Sequence, residues 1–187
     1  MSVPVLTTDR LVLRAWREED RPAFAEMNAD PDVMEHFPST MTRAESDAFV
    51  DRVERQFAER GFGPWVVEAA GEFQGFTGLL VPSWHADWMD AREQPVVEVG
   101  WRLRRSAWGH GWATEAALEC LRFAFEDLGR QEVLSFTVVG NRRSRAVMER
   151  LGMRLLTHYD HPIAGRPALP SVCYVVDRAG VVPWKTP

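Results

Sequence analysis

Apolar and polar residues fall into short blocks along the chain. Leu11, Val12 and Leu13, with Trp16, read as a first strand over residues 11–16. Asp20 stands where a helix N-cap would, with Pro22 in the first turn. The helix it starts buries Phe24 and Met27. Thr42 followed by Glu45 has capping-box spacing. A second helix runs from there to about Arg60, with Phe49, Val53 and Phe57 at i, i+4 and i+8, and Gly61 ends it. Residues 64–69 and 73–80 read as two strands across a turn at Ala70, Gly71 and Glu72. Residues 82–94 show no period and read as a long loop or insertion, a kind of segment that often carries function.

The clearest strand covers residues 95–103. Val97, Val99, Trp101 and Leu103 share one face, and Glu98, Gly100 and Arg102 the other. A helix over residues 112–128 buries Ala113, Ala117, Cys120, Leu121, Ala124, Phe125 and Leu128, and Gly129 stops it. A strand at 132–139 is broken by Gly140 and Asn141. A short helix at 142–151 ends at Gly152. Strands at 153–159 and 171–177 close the pattern, and residues 161–170, with three prolines and a glycine, read as a loop. This order gives an α/β (α+β) fold around one mixed sheet. One domain is expected over residues 1–187, with a core at about 7–178 and a loose tail from Gly180.

Composition narrows the class. A chain of 187 residues is long enough for one sizeable core. The net charge of -5 leaves no footprint for general nucleic-acid binding. Cys120 and Cys173 read as reduced thiols. The N-terminus has no signal-peptide pattern, and no apolar run approaches the roughly 20 residues of a membrane span. A soluble cytoplasmic protein, monomer or homodimer, is expected. Trp84, Trp88, Trp101, Trp108 and Trp112 crowd one stretch, as core filling or as an aromatic wall around a ligand. His36, His85, His110, His158 and His161 lack metal-ligand spacing, so no metal is expected.

The chemistry concentrates at Gly109-His110-Gly111, between a strand and a helix. Glycine lets the backbone turn tightly, and the first helical N–H groups, unpaired and at the positive end of the dipole, suit a phosphate. Arg104 and Arg105 lie beside them. Position 114 is Thr, which departs from the dinucleotide fingerprint, and the Gly-Lys-Ser/Thr of a P-loop is absent. From these glycines alone, a ligand-free turn stays open.

The run Trp108-Gly109-His110-Gly111-Trp112-Ala113-Thr114-Glu115-Ala116 resembles the acetyl-CoA pyrophosphate motif of the GNAT acetyltransferase superfamily. The similarity is greatest to the branch with the ribosomal-protein-alanine acetyltransferases. Leu6 to Arg14 resembles that branch's opening strand, Val97 to Leu103 its fourth, and Asn141 to Met153 its Asn-x-x-Ser helix. The resemblance spans residues 7–177. It implies a mostly antiparallel sheet with splayed parallel strands four and five, flanked by about four helices. It also implies acetyl-CoA as co-substrate and a primary amine as acceptor, whether small molecule, amino acid or protein N-terminus. Backbone groups of Val99 and of Trp101 to Leu103 would hold the pantetheine arm. The segment from Arg104 and Arg105 through Ser106, Trp108, Gly109, His110, Gly111, Trp112 and Ala113 to Thr114 would hold the pyrophosphate. Asn141 and Ser144 would bond the coenzyme. Glu98 is the expected general base, with an edge-facing or ion-paired Glu as the alternative. Ser106 stands where many relatives have Gln or Arg, and Met148 where many have a Tyr acid. His158, Tyr159 and His161 are candidates for the acceptor pocket. Asp87, Asp90 and Glu93 of the 82–94 loop would attract a cationic acceptor. Glu115 reads as a first-turn carboxylate at the helix dipole. A coenzyme-binding regulatory module without turnover is the alternative function.

Overall fold

The computed structural model describes residues 3–163 and 165–182. In chain order its elements are β1 (Leu6–Thr7), β2 (Val12–Arg14), α1 (Asp20–Ala29), α2 (Arg43–Arg60), β3 (Pro64–Ala69), β4 (Glu72–Leu80), β5 (Glu98–Leu103), α3 (Trp112–Glu126), β6 (Glu132–Val138), α4 (Arg142–Arg150), β7 (Arg154–Ile163) and β8 (Arg166–Asp177). The strands form one sheet in the order β1-β2-β3-β4-β5-β6-β8-β7. All neighbours are antiparallel except β5 and β6. The expected order of elements is present, with the two-residue β1 added, so the strand expected as the fourth is β5.

Alternation along β4 assigns the layers. Phe76 meets Phe24 of α1 and Phe49 of α2, with ring centroids 6.0 and 5.3 Å apart. Its neighbour Thr77 points the opposite way, to Cys120 of α3. Helices α1 and α2 therefore cover one face and α3 the other. Val99, Ala117, Cys120, Leu121 and Trp65 are among the fully buried residues of this core.

Three expectations need correction. Asp20 is the first residue of α1 rather than its cap. Its carboxylate is spent on Arg14, with bonds of 2.7 and 2.8 Å, and on the Arg17 N–H at 2.8 Å. Residues 161–170 belong largely to a β7–β8 hairpin, not a loop. Its prolines are tolerated because β7 is the sheet edge and the Arg166 end of β8 pairs only with β7. The start of the expected loose tail is held: Val182 N–H donates to Leu151 O at 3.3 Å. The rest of that tail, residues 183–187, lies outside the described residues.

The Thr42 capping box forms as expected, with reciprocal bonds of 3.2 and 2.7 Å to Glu45. Thr42→Ala is expected to cost about 1 kcal/mol. Thermal unfolding followed by circular dichroism should show a Tm lower by about 2–4 °C.

Candidate functional site

Strands β5 and β6 begin as a pair and then part. Glu98 is in register with Leu134, and the Leu134 N–H donates to Val97 O at 3.0 Å. Ser135 Oγ then donates to Val99 O at 2.8 Å, and registered pairing goes no further. Backbone groups alternate in direction along a strand. Val97, Val99, Trp101 and Leu103 thus face β6, whereas Arg104 N–H faces β4 and donates to Gln74 O at 2.9 Å. The Trp101 N–H and C=O open onto the gap. The Leu103 carbonyl is already taken by Trp108 Nε1 at 2.9 Å.

Beyond Leu103 the chain makes one 3-10 turn over Arg105–Ala107. Gly109 and Gly111 then take φ of 82° and 77°, which only glycine adopts readily. Ala107 and Trp108 donate to Arg104 and Arg105 carbonyls, and Thr114 and Glu115 donate to the Gly111 carbonyl. The intervening N–H groups, residues 109–113, have no acceptor among the described residues. They form an anion cradle at the start of α3.

Gap and cradle share one cavity of about 940 Å³. Of the residues expected to hold the coenzyme, 108–114 line it, with Trp101 and Leu103 from β5 and Asn141 and Ser144 from α4. Val99 does not line it: the residue is buried, its carbonyl accepts from Ser135 Oγ at 2.8 Å, and its N–H is used in the pairing with β6. Asn141 Oδ1 is partly committed, accepting the Ser144 N–H at 3.1 Å as the α4 cap. Met148 is buried and lines the cavity without a proton to offer. Arg104, Arg105 and Ser106 do not line it. Arg104 is drawn to Gln74 and Glu72, both at 2.9 Å. Arg105 pairs with Asp32, with its guanidinium 5.3 Å from the Trp108 ring. The cationic lining comes instead from Arg102 and from Arg142, Arg143 and Arg150 of α4. Sequence reasoning gave these four side chains no role, only the backbone of Arg102, although the arginine density of α4 signals three of them. Arg143 lies 4.4 Å over Trp108 and bonds Glu35 at 2.6 Å.

The inner end of the cavity holds Glu98. No side chain among the described residues bonds its carboxyl, and burial pushes its pKa up to about 8. The wall opposite is aromatic. Trp84 stacks on Tyr159, centroids 5.1 Å apart at 6°, and meets Phe136 edge-on at 5.1 Å. Four of the five clustered tryptophans line the cavity, while Trp88 packs behind them. Tyr159 and His161 line it too, 3.3 Å apart between Oη and Nδ1. Burial raises the Tyr159 pKa and lowers that of His161. His158, on the other face of β7, is exposed. The 82–94 loop contributes Trp84 and not its acids. Asp87, Asp90 and Glu93 are exposed, and Asp90 is bonded by His85 at 2.8 Å. Glu115 is structural: it accepts from Thr8 at 2.5 Å and from Arg10 Nε at 2.7 Å, holding the β1–β2 turn against α3. No cluster of metal-binding side chains exists among the described residues, and no helix there is long and apolar enough to cross a membrane.

Known proteins share this fold. Residues 10–154 match the acetyltransferase (GNAT) domain family. The FsC-acetyl coenzyme A-N(2)-transacetylase of Aspergillus fumigatus is 34% identical over 172 residues, covering 87% of this chain and 72% of that protein. The crystal structure of an acetyltransferase from Agrobacterium tumefaciens is 27% identical with a TM-score of 0.76, covering 95% and 96% of the two chains. The fold is also that of Mycobacterium smegmatis RimJ in complex with CoA-disulfide, with 16% identity, a TM-score of 0.76, and coverage of 96% and 91%. With the family matched across most of its length and the parted strands and glycine turn in place, the chain belongs to the GNAT acetyltransferase family.

Proposed function

We propose that the chain moves the acetyl group of acetyl-CoA to a primary amine by direct attack within a ternary complex. The observation that carries this reading is the continuity of one cavity. It runs from the free N–H groups of residues 109–113, along the open edge of β5, to the unpaired carboxyl of Glu98. The cradle suits the pyrophosphate, supported by Arg142 and Arg143. The Trp101 N–H and C=O suit the amide groups of the pantetheine arm. The name of the Aspergillus relative, an acetyl coenzyme A-N(2)-transacetylase, and the complex of RimJ with CoA-disulfide agree with this reading.

The amine nitrogen attacks the thioester carbon, the C–S bond breaks, and Glu98 accepts the proton the nitrogen sheds. A carboxyl with its pKa raised to about 8 is matched to that task near neutral pH. Acetyl-CoA supplies a thiol of pKa about 8.5 that leaves as thiolate, so the absence of an acid at Met148 is tolerable. Tyr159 is not needed as that acid, since burial makes it hold its proton more tightly than a free phenol.

The test is thiol release from acetyl-CoA over a panel of amino acids, N-terminal peptides, polyamines and aminoglycosides. Amine-dependent release is expected from at least one class. Acetyl-CoA binding with no release over the whole panel would instead identify a coenzyme-binding module without turnover.

A further inference from the structure

Several arginines that leave the surface in this chain are ion-paired. Arg14 bonds Asp20 and Glu68 at 2.6–2.8 Å, and the partly buried Arg10 and Arg92 reach Glu115 and Glu132. Arg102, half-buried and on the cavity wall, is not paired in this way. It forms no ion pair among the described residues, and its one strong bond, 2.6 Å, goes to the neutral Asn28 Oδ1. Its guanidinium lies 4.1 Å from the Phe37 ring and 5.5 Å from the Phe76 ring, and its Nε is buried without a partner. Burial lowers its pKa only to about 10, so it stays cationic at neutral pH. It nevertheless lines the cavity. A largely desolvated cation without a counter-ion is costly, and here the missing anion has room to enter.

Resting on the acetyltransferase reading above, we propose that Arg102 docks a carboxylate carried by the acceptor, so that the substrate is an amino acid rather than a polycation. Arg102 and Glu98 share one face of β5 four residues apart, about 13 Å at about 3.3 Å per residue. Side chains reaching inward from both ends leave room for one small molecule with its amine at Glu98 and its carboxylate at Arg102. The coenzyme phosphates have their own cradle beyond the C-terminal end of β5. Arg102 lies on the face covered by α1 and α2 instead, beside Asn28 and Phe76. Charge agrees: Glu98 is the single carboxylate among the described residues lining the cavity, against four arginines. With Arg142 and Arg143 engaged by the coenzyme phosphates, Arg102 still places a cation, not an acid, where the distal group of a polyamine or aminoglycoside would lie.

The experiment uses the full chain with acetyl-CoA. L-phenylalanine, L-methionine, β-alanine and 4-aminobutyrate are compared with their carboxamides and with spermidine. Thiol release is measured by steady-state kinetics, and acceptor binding in the presence of CoA by calorimetry. The parent should prefer at least one acid over its amide by about ten- to hundredfold in kcat/KM. In Arg102→Gln that ratio should fall to about one through the acceptor KM, while Arg102→Lys should restore part of it. Amides or spermidine turned over as well as the acids would overturn the proposal, as would a rise confined to the acetyl-CoA KM. Acid-selective binding that Arg102→Gln abolishes, with no thiol release, would uphold Arg102 and refute the catalytic reading. No acid-selective binding and no release would refute both. If Arg102→Gln does not fold, the acid-to-amide ratios of the parent and of Arg102→Lys decide.

Discussion

Glu98→Gln is expected to lower kcat by about 10²–10⁴-fold while shifting the KM for acetyl-CoA little. The side chain keeps its size and loses only the ability to take a proton. The pH dependence gives a second readout. The carboxyl must be ionised to act, and burial raises its pKa from 4.5 to about 8. At saturating acceptor, parent kcat should therefore climb about tenfold per pH unit below 8 and level off above it, and the variant should lack that limb. Stability moves in the opposite sense. A carboxyl whose folded pKa exceeds its unfolded value binds an extra proton in the native state between the two. Its stabilising effect is full below about pH 4.5 and is lost as pH rises through 8. Gln does not ionise, so the variant should gain thermal stability relative to the parent between pH 6 and 9. A variant with full kcat would refute the base assignment, whatever its stability.

The parts of this site legible in the sequence are local ones. The alternation of Val97, Val99, Trp101 and Leu103 against Glu98, Gly100 and Arg102 defines β5 within a few residues. The tight turn at Gly109 and Gly111 is legible as a glycine pair between a strand and a helix, and both take positive φ there. What stayed hidden depends on partners far apart in the chain. Arg105 is drawn from the coenzyme by Asp32, 73 positions away, and Arg143 reaches Glu35 across 108. In the sequence Arg102 reads only as a residue on the Glu98 face of its strand, and the groups that close around it, Asn28, Phe37 and Phe76, come from other segments. The β7–β8 hairpin was hidden differently. Pro162, Pro167 and Pro170 argue against a strand only where both strand edges are bonded, and the sheet's end position for β7 cannot be read from local composition.

The position of β5 itself rests on Gly75. Pairing of β4 with β3 slips between Val67, opposite Gly75, and Glu68, opposite Phe73, leaving Gln74 as the extra residue of a bulge. The bulge aims Gln74 at the end of β5, where its carbonyl takes the Arg104 N–H and its side chain takes Arg104 Nε. Gly75 adopts φ 131°, and a Cβ there would lie 2.2 Å from Arg102 O and 2.7 Å from Leu103 Cα. Both are backbone atoms, so no rotamer change relieves the clash. Gly75→Ala should therefore cost roughly 1–3 kcal/mol in backbone strain and a similar amount in overpacking. Denaturant titration and thermal unfolding should together show a Tm lowered by roughly 5–15 °C. The part of the site displaced is where Leu103 leads into the glycine turn, so the acetyl-CoA KM should rise more than that of the acceptor. Gly71→Ala is the control: Gly71 also has a positive φ, 79°, but no atom lies within 4 Å of its added Cβ. It should carry the backbone cost alone and keep parent kinetics. Equal destabilisation by the two substitutions would mean that β5 is not held in place by the close approach at Gly75.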